Sequence, residues 1–320
     1  MTGLVARYAV RTHTGLVREA NEDDYLVVPE MGVYVVADGM GGHVAGKVAS
    51  DLCVQTVEEY FATEAHRGAL LADGEATGLT KDALELAESL LLANRRIHDA
   101  SLSDRELTGM GTTAVGVRLF SGQIAVSHAG DSRCYLFREG QLQQVTVDHS
   151  LSNFLMQLGR EAQAQYAAHA MANVIMRGLG LEPDIAVDTK EFPVRPGDRF
   201  LLCSDGLSDL VSDDEIAVGL SNPDINREEL VDLLVQDALD AGGRDNITVL
   251  LLDIEASAVV TPTIDSAGET LEMPPVRDTF FEDEEAEDGE NGATVEVQMQ
   301  RDGVDPLAMT GASRRTQKGE

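Results

Sequence analysis

Thr112–Phe120 (TTAVGVRLF), Gln123–His128 (QIAVSH), Arg133–Arg138 (RCYLFR) and Gln141–Val145 (QLQQV) follow one another almost without interruption. Their side-chain pattern has a period of two, the repeat of a β-strand. Ser121-Gly122 and Glu139-Gly140 are tight-turn signals between successive runs. The stretch reads as an antiparallel meander, and no βαβ alternation suggests a doubly wound sheet.

Upstream, Leu4–Val10, Tyr25–Val28 and Val33–Ala37 also read as strands. Ala45–Phe61 suits a helix, with Val48, Leu52 and Thr56 on one face. A second helix runs to Ala100, capped by Thr80, with Leu84, Ala87, Leu91 and Asn94 at helical spacing. Residues 150–180 return to helix or loop. Phe200–Ser204 is then a strand, Asp214–Leu220 and Arg227–Ala241 are helices, and Ile247–Ile254 is a last strand. Antiparallel groups of strands with helices in pairs imply sheets packed on each other and covered by helices.

Residues 1–254 read as one globular unit. From residue 255 the composition shifts to an acidic block at 281–290 flanked by Thr, Pro, Gly and Ser. So few apolar residues cannot offset chain entropy, and residues 255–320 read as a disordered tail.

Of 320 residues, 43% are hydrophobic, enough for a substantial core. The formal net charge of −32 argues against nucleic acid as a partner, because a phosphate backbone demands Lys and Arg. It also disfavours anionic membranes. Apolar runs fall far short of the ~18 residues of a membrane span, and nothing near the N-terminus resembles a signal peptide. Cys53, Cys134 and Cys203 are widely spaced in apolar surroundings and read as buried, reduced thiols. The expectation is a soluble cytoplasmic monomer.

Four segments end β-like runs with an Asp beside Gly, Ser or Asn: Val36–Gly42 (VADGMGG), Gly130–Arg133 (GDSR), Ser204–Gly206 (SDG) and Arg244–Asn246 (RDN). A lone Asp-Gly is most simply a β-turn. Four of them at strand ends make a carboxylate cluster if those ends converge, and such a cluster needs cations. Hard Mg²⁺ or Mn²⁺ suits oxygen donors, and no His/Cys set has zinc-like spacing. Two cations about 3.5–4 Å apart could share Asp38, with Asp205 and Asp245 completing the shell, and activate a bridging water for in-line attack on phosphorus. Asn21-Glu22-Asp23-Asp24 adds acids upstream, and Arg18 offers a guanidinium to a phosphate.

Seven motifs occur in order: Gly15-x-Val17-Arg18-x-x-Asn21-Glu22-Asp23, Val36–His43, Gly111-Thr112-Thr113, His128-x-Gly130–Arg133, Asp148-His149-Ser150, Ser204–Leu207 and Arg244–Thr248. In these residues the chain resembles the metal-dependent protein phosphatases, the type 2C Ser/Thr phosphatases, in their bacterial form. The resemblance covers residues 1–254. It implies an α+β fold, a four-layer α-β-β-α sandwich of two antiparallel sheets flanked by helix pairs, with a binuclear site at one end. It implies hydrolysis of phosphoserine and phosphothreonine on proteins, with two Mn²⁺ or Mg²⁺ ions and room for a third.

Carried over by position, Asp38 resembles the bridging carboxylate and Gly39 the residue whose carbonyl binds one ion. Asp205 and Asp245 match ligands of the other ion, and Glu22 and Asp23 act through water. Asp131, with Asp205, matches the third site, and Arg18 matches the phosphate-binding Arg. Some relatives have a His directly after the Asp-Gly pair as general acid. Here that position is Met40, which cannot donate a proton, leaving a metal-bound water for the task. His43 reads as a helix-opening residue, and His128 and His149 as structural hydrogen-bonders. Residues 150–180 correspond to the family's flap beside the site.

The expected partners are phosphoproteins, including a Ser/Thr kinase and its substrates. Thr270 and Thr279, if phosphorylated, could dock on a forkhead-associated domain. A non-catalytic phosphopeptide-binding module on the same fold is the competing reading. Retention of Asp38, Asp205 and Asp245 opposes it, since a degenerate site would have lost at least one. An acidic cation-buffering protein would explain the charge but not the ordered motifs.

Overall fold

Val33–Met40 (β3) is buried on both faces, and its alternation explains the layers. Val33, Val35 and Ala37 point into one core, Tyr34 and Val36 into another. In the computed structural model, residues 3–42, 44–63, 77–161, 163–165, 174–257 and 294–298 are described.

β3 belongs to a sheet with Asp23–Val28 (β2), Ala114–Phe120 (β5), Gln123–Ala129 (β6), Val187–Pro193 (β9) and Val295–Val297 (β12), ordered β12-β9-β6-β5-β3-β2. The short Gly111–Thr112 (β4) pairs beside β3. The second sheet contains Leu4–His13 (β1), Arg133–Arg138 (β7), Gln141–Gln144 (β8), Arg199–Cys203 (β10) and Ile247–Ala256 (β11), ordered β1-β11-β10-β7-β8. The pairings are antiparallel.

Between the sheets lie Tyr34, Val36, Val115, Phe200, Leu202 and Leu250. Val44–Ala62 (α1) and Lys81–Ser103 (α2) cover the outer face of the first sheet. After Leu151–Gln157 (α3) and the short Asp205–Ser208 (α4), Asp213–Ser221 (α5) and Arg227–Asp240 (α6) cover the second. The four-layer sandwich expected from the sequence is the fold observed.

Local chemistry explains the helix starts. Thr80 Oγ1 accepts from Ala83 N, while Ser212 and Asn226 form capping boxes with Glu215 and Glu229. The buried face of α1 runs through Ala45, Ala49, Cys53 and Val57 rather than centring on Val48 and Leu52, because small side chains let the helix sit close to β3.

The stretch expected as one meander is divided between the sheets. β5 and β6 form a hairpin in one, and β7 and β8 form a hairpin in the other. The chain crosses at Gly130-Asp131-Ser132, which puts Asp131 where the sheets meet. β9 and β12 were not foreseen. The latter lies inside the segment expected to be a disordered tail, yet it pairs with β9 and buries Val297 to 2% exposure. No helix among the described residues is long and apolar enough to cross a membrane.

Candidate active site

Register brings the scattered acids to one end of the sandwich. Asp23 and Asp38 are partners across β2 and β3. β11 begins beside Asp245-Asn246, β10 ends at Cys203 before Asp205, and β6 ends just before Asp131. Six carboxylates, Glu22 included, thus lie at or just beyond the ends of strands that pack together. A cavity of about 1010 Å³ lies at the other end of the sandwich, lined by Gly3–Arg7, Pro29–Gly32 and Leu119–Gly122. None of the predicted site residues lines it.

The backbone around Asp38 is tightly fixed. Its carbonyl accepts from Thr113 N and Thr112 Oγ1, both at 2.8 Å, and Gly39 N donates to the Glu22 carbonyl at 3.2 Å. A Cβ on Gly39 would overlap the Gly46 carbonyl, so only glycine lets α1 approach the site this closely. Glu22 is held by Asn246 Oδ1, which accepts its N–H at 2.7 Å, and by Ser50 Oγ, which donates to its carbonyl at 2.6 Å.

Asp23 is buried, and its Oδ2 accepts from Thr248 Oγ1 at 2.7 Å and Ser204 Oγ at 2.8 Å. Its other oxygen, Asp23 Oδ1, has no hydrogen-bond partner, nor have Asp131 Oδ1 and Asp205 Oδ1, all three buried. Unpartnered buried carboxylate oxygens are costly.

Electrostatics shows the same stress. Burial, then the charges of Asp23, Asp205, Asp131 and Asp245, hold the Asp38 carboxyl well above the usual range. Burial followed by Asp131, Asp209 and Asp245 does the same to Asp205. Burial pushes Asp23 up to about 6 and, with Asp148 adding to it, Asp131 up to about 6. The cluster has oxygen donors in excess and too little positive charge. A set of hard divalent cations fits that donor set.

Arg18 is half-exposed, and its Nη2 donates to Asp245 Oδ2 at 2.6 Å. The guanidinium therefore neutralises one of the acids expected to hold metal. Met40 has its methyl against Gly178, near the end of the 150–180 stretch. His43 lies outside the described residues, as do Thr270 and Thr279. His128 Nε2 lies 3.0 Å from the Val147 carbonyl, and His149 Nδ1 accepts from Gly130 N at 3.1 Å. Both are structural ties, as expected.

Several contributors escaped the sequence reading. Asn246 binds Glu22 and also donates to the Thr14 and Ala20 carbonyls, at 2.8 and 2.9 Å, so it fixes the loop carrying Arg18. Ser204 and Thr248 orient Asp23. Thr113 Oγ1 and Ser132 Oγ, 2.7 Å apart, tie the Asp131 turn to the Asp38 strand. Asp148 grips Arg133 through both oxygens. Each lies inside one of the seven motifs, which was the available signal.

Comparison with known proteins accords with this geometry. Residues 15–240 match the family model of protein phosphatase 2C. The chain belongs to that family. Over 253 residues it is 39% identical to the serine/threonine protein phosphatase PstP of Mycobacterium tuberculosis, covering 78% of this chain but only 45% of that protein. It therefore spans less than half the length of that relative. The serine/threonine phosphatase stp of Listeria welshimeri is 35% identical over 246 residues, covering 76% of this chain and 94% of that one. A crystal structure of the PstP catalytic domain in complex with two manganese ions superimposes with a TM-score of 0.65 at 35% identity, covering 79% of this chain and all of that one.

Proposed function

We propose that this protein hydrolyses phosphoserine and phosphothreonine monoesters on other proteins. The observation that carries the reading is the acid cluster itself: buried carboxylate oxygens without partners, in a family of protein phosphatases one of whose members was crystallised with two manganese ions. Asp38 and the Gly39 carbonyl, with Asp205 and Asp245, are the proposed holders of two Mn²⁺ or Mg²⁺ ions. Glu22 and Asp23 act through water, and Asp131 with Asp205 serves a third ion. Bound there, the cations supply Lewis-acid polarisation and a nucleophile available at neutral pH.

The chain's own residues do the rest. Asn246, Ser204, Thr248 and Thr112 hold the acids in place before any ligand arrives, which spares reorganisation on binding. Arg18 holds the Asp245 carboxylate, and would have to yield it to a cation held there. Once released, the guanidinium can turn to a substrate phosphate, which it suits through paired N–H donors. Substrate binding and cation binding are thereby linked through one side chain.

The substrates in this reading are phosphoproteins, including a Ser/Thr kinase and that kinase's targets. A forkhead-associated domain reading phosphorylated Thr270 or Thr279 rests on sequence context alone. Three free, buried cysteines suit a reducing cytoplasm. The non-catalytic alternative gains no support, since the acids, Asn246 and Arg18 are retained together. The deciding measurement is release of phosphate from a phosphothreonine peptide with MnCl₂ and with EDTA. Folded, manganese-loaded protein without turnover would refute the proposal.

A further inference from the structure

β12 occupies the outer edge of β9, pairing Val295 with Thr189, Glu296 with Asp188 and Val297 with Val187. It is the end strand of its sheet, so without it β9 would present an open row of amides and carbonyls. The strand's two faces have different work. Val297, 2% exposed, and Val295 enter the core beneath α1 and α2. Glu296 points the other way, and its Oε1 lies 3.1 Å from Arg177 Nη2.

Arg177 is a junction. Its Nη1 pairs with Asp188 and lies 3.3 Å from His149 Nε2. His149 is bonded twice to Gly130: its N–H donates to the Gly130 carbonyl at 2.9 Å, and its Nδ1 accepts from Gly130 N. The neighbouring residue is Asp131. On the other side, Met176 N donates to the His149 carbonyl at 2.7 Å, and Gly178 touches Met40. A cavity of about 430 Å³ has Phe154, Met176 and Arg177 of the flap on its wall, together with Thr294 and Glu296 of the tail. His128, His149 and Asp188 are also close enough to suggest a metal triad, but the Arg177 guanidinium is already paired with Asp188 and His149 there.

We propose that the edge of β9 is a strand-docking site filled in cis by residues 294–298, and that this strand is a latch for the flap. Docked, it fixes Arg177 through Glu296 and so fixes the return of the flap at 174–178 against His149 and Met40. Released, it leaves Arg177 with one acid fewer and the flap return free to open. The strand belongs to the same chain as β9, which keeps it at high local concentration. Sheet completion by an extended segment supplies the affinity, and the buried valines set the register. The device stands independently of the phosphatase reading, except for its kinetic readout.

Hydrogen exchange on the full-length protein tests it, with Val297→Asp to undock the strand and Glu296→Gln to cut only the link to Arg177. In Val297→Asp, amides at 187–189 and 174–178 should exchange about tenfold faster or more, while those of β10 stay unchanged. A peptide of residues 291–300 added in trans should restore protection at both segments. In Glu296→Gln, 174–178 should loosen while 187–189 remain protected. If the phosphatase reading also holds, Val297→Asp raises KM for a phosphopeptide roughly threefold to tenfold and leaves kcat on a small aryl phosphate within about twofold. Equal exchange at 187–189 in the parent and Val297→Asp would show that no strand docks. Loss of protection at 187–189 without any change at 174–178 would show that the strand is only an edge cover.

Discussion

Arg18 Nη2 and Asp245 Oδ2 form an ion pair at 2.6 Å, joining the residue proposed to grip phosphate to one proposed to grip metal. The pair is well exposed on the Arg18 side, so it contributes little to stability. Its interest is competition. Arg18→Ala should raise KM for a phosphothreonine peptide about tenfold, a loss of ~1.4 kcal/mol, with a smaller effect on kcat. The same variant should bind Mn²⁺ as tightly as the parent or more tightly, because Asp245 no longer has an internal partner. Steady-state kinetics with calorimetric Mn²⁺ titration checks both, and weaker Mn²⁺ binding would contradict the linkage.

Asp38→Ala separates function from folding. One carboxylate proposed to serve both ions is removed, so turnover should fall about a thousandfold or more. Yet the deletion also relieves repulsion among Asp23, Asp131, Asp205 and Asp245. In EDTA the variant should therefore melt no lower than the parent, measured by circular dichroism. Full activity in Asp38→Ala would refute the site assignment.

Legibility in the sequence followed the range of the forces. The strands around Asp38 and Asp131, the caps at Thr80 and the aspartates at strand ends were readable because local pattern decides them. The split of β5-β6 from β7-β8 was not, because Gly130–Ser132 reads as one more turn in a meander. Only pairing of β7 with β10 reveals that the chain has changed sheet. β9 has mixed polarity, Val-Asp-Thr-Lys-Glu-Phe-Pro, and its strand state comes from β6 and β12 on either side. β12 is three residues in a polar, acidic context, and no local signal outweighs that composition. At the site, the acids were visible, whereas the pairing of Arg18 with Asp245 depends on tertiary placement.

The acid cluster also fixes a pH dependence. Burial raises the folded carboxyls of Asp23 and Asp131 to about 6, above their unfolded values. A raised acid costs the fold nothing when protonated in both states. The cost appears as pH climbs from about 4 and is complete above the folded value, at roughly 3 kcal/mol for each group. Cations remove that cost. The thermal shift produced by Mn²⁺ over EDTA should therefore be several degrees at pH 7.5 and shrink steadily toward pH 5. His128, which burial lowers to about 4, titrates in both samples and cancels from the difference. Scanning fluorimetry across that range is the check, and a shift that grows toward pH 5 would contradict it.

Gly206 tests how far the site depends on close backbone contact. It follows Asp205 in the first turn of α4, and a Cβ there would overlap the Asn246 carbonyl. Asn246 anchors Glu22 and the Arg18 loop, and Asp245 precedes it. Gly206→Ala must push the Asp205 turn away from the Asp245-Asn246 turn, separating two acids proposed to share an ion. The expected cost is about 1–3 kcal/mol in urea denaturation under EDTA, as for other overpacked interiors. Mn²⁺ affinity should fall at least tenfold, because misplaced ligands lose binding faster than the fold loses stability. Ser208→Ala, one turn end away on the same short helix, should leave both quantities unchanged. Unaltered Mn²⁺ affinity in Gly206→Ala would mean that Asp205 and Asp245 do not act on a common ion.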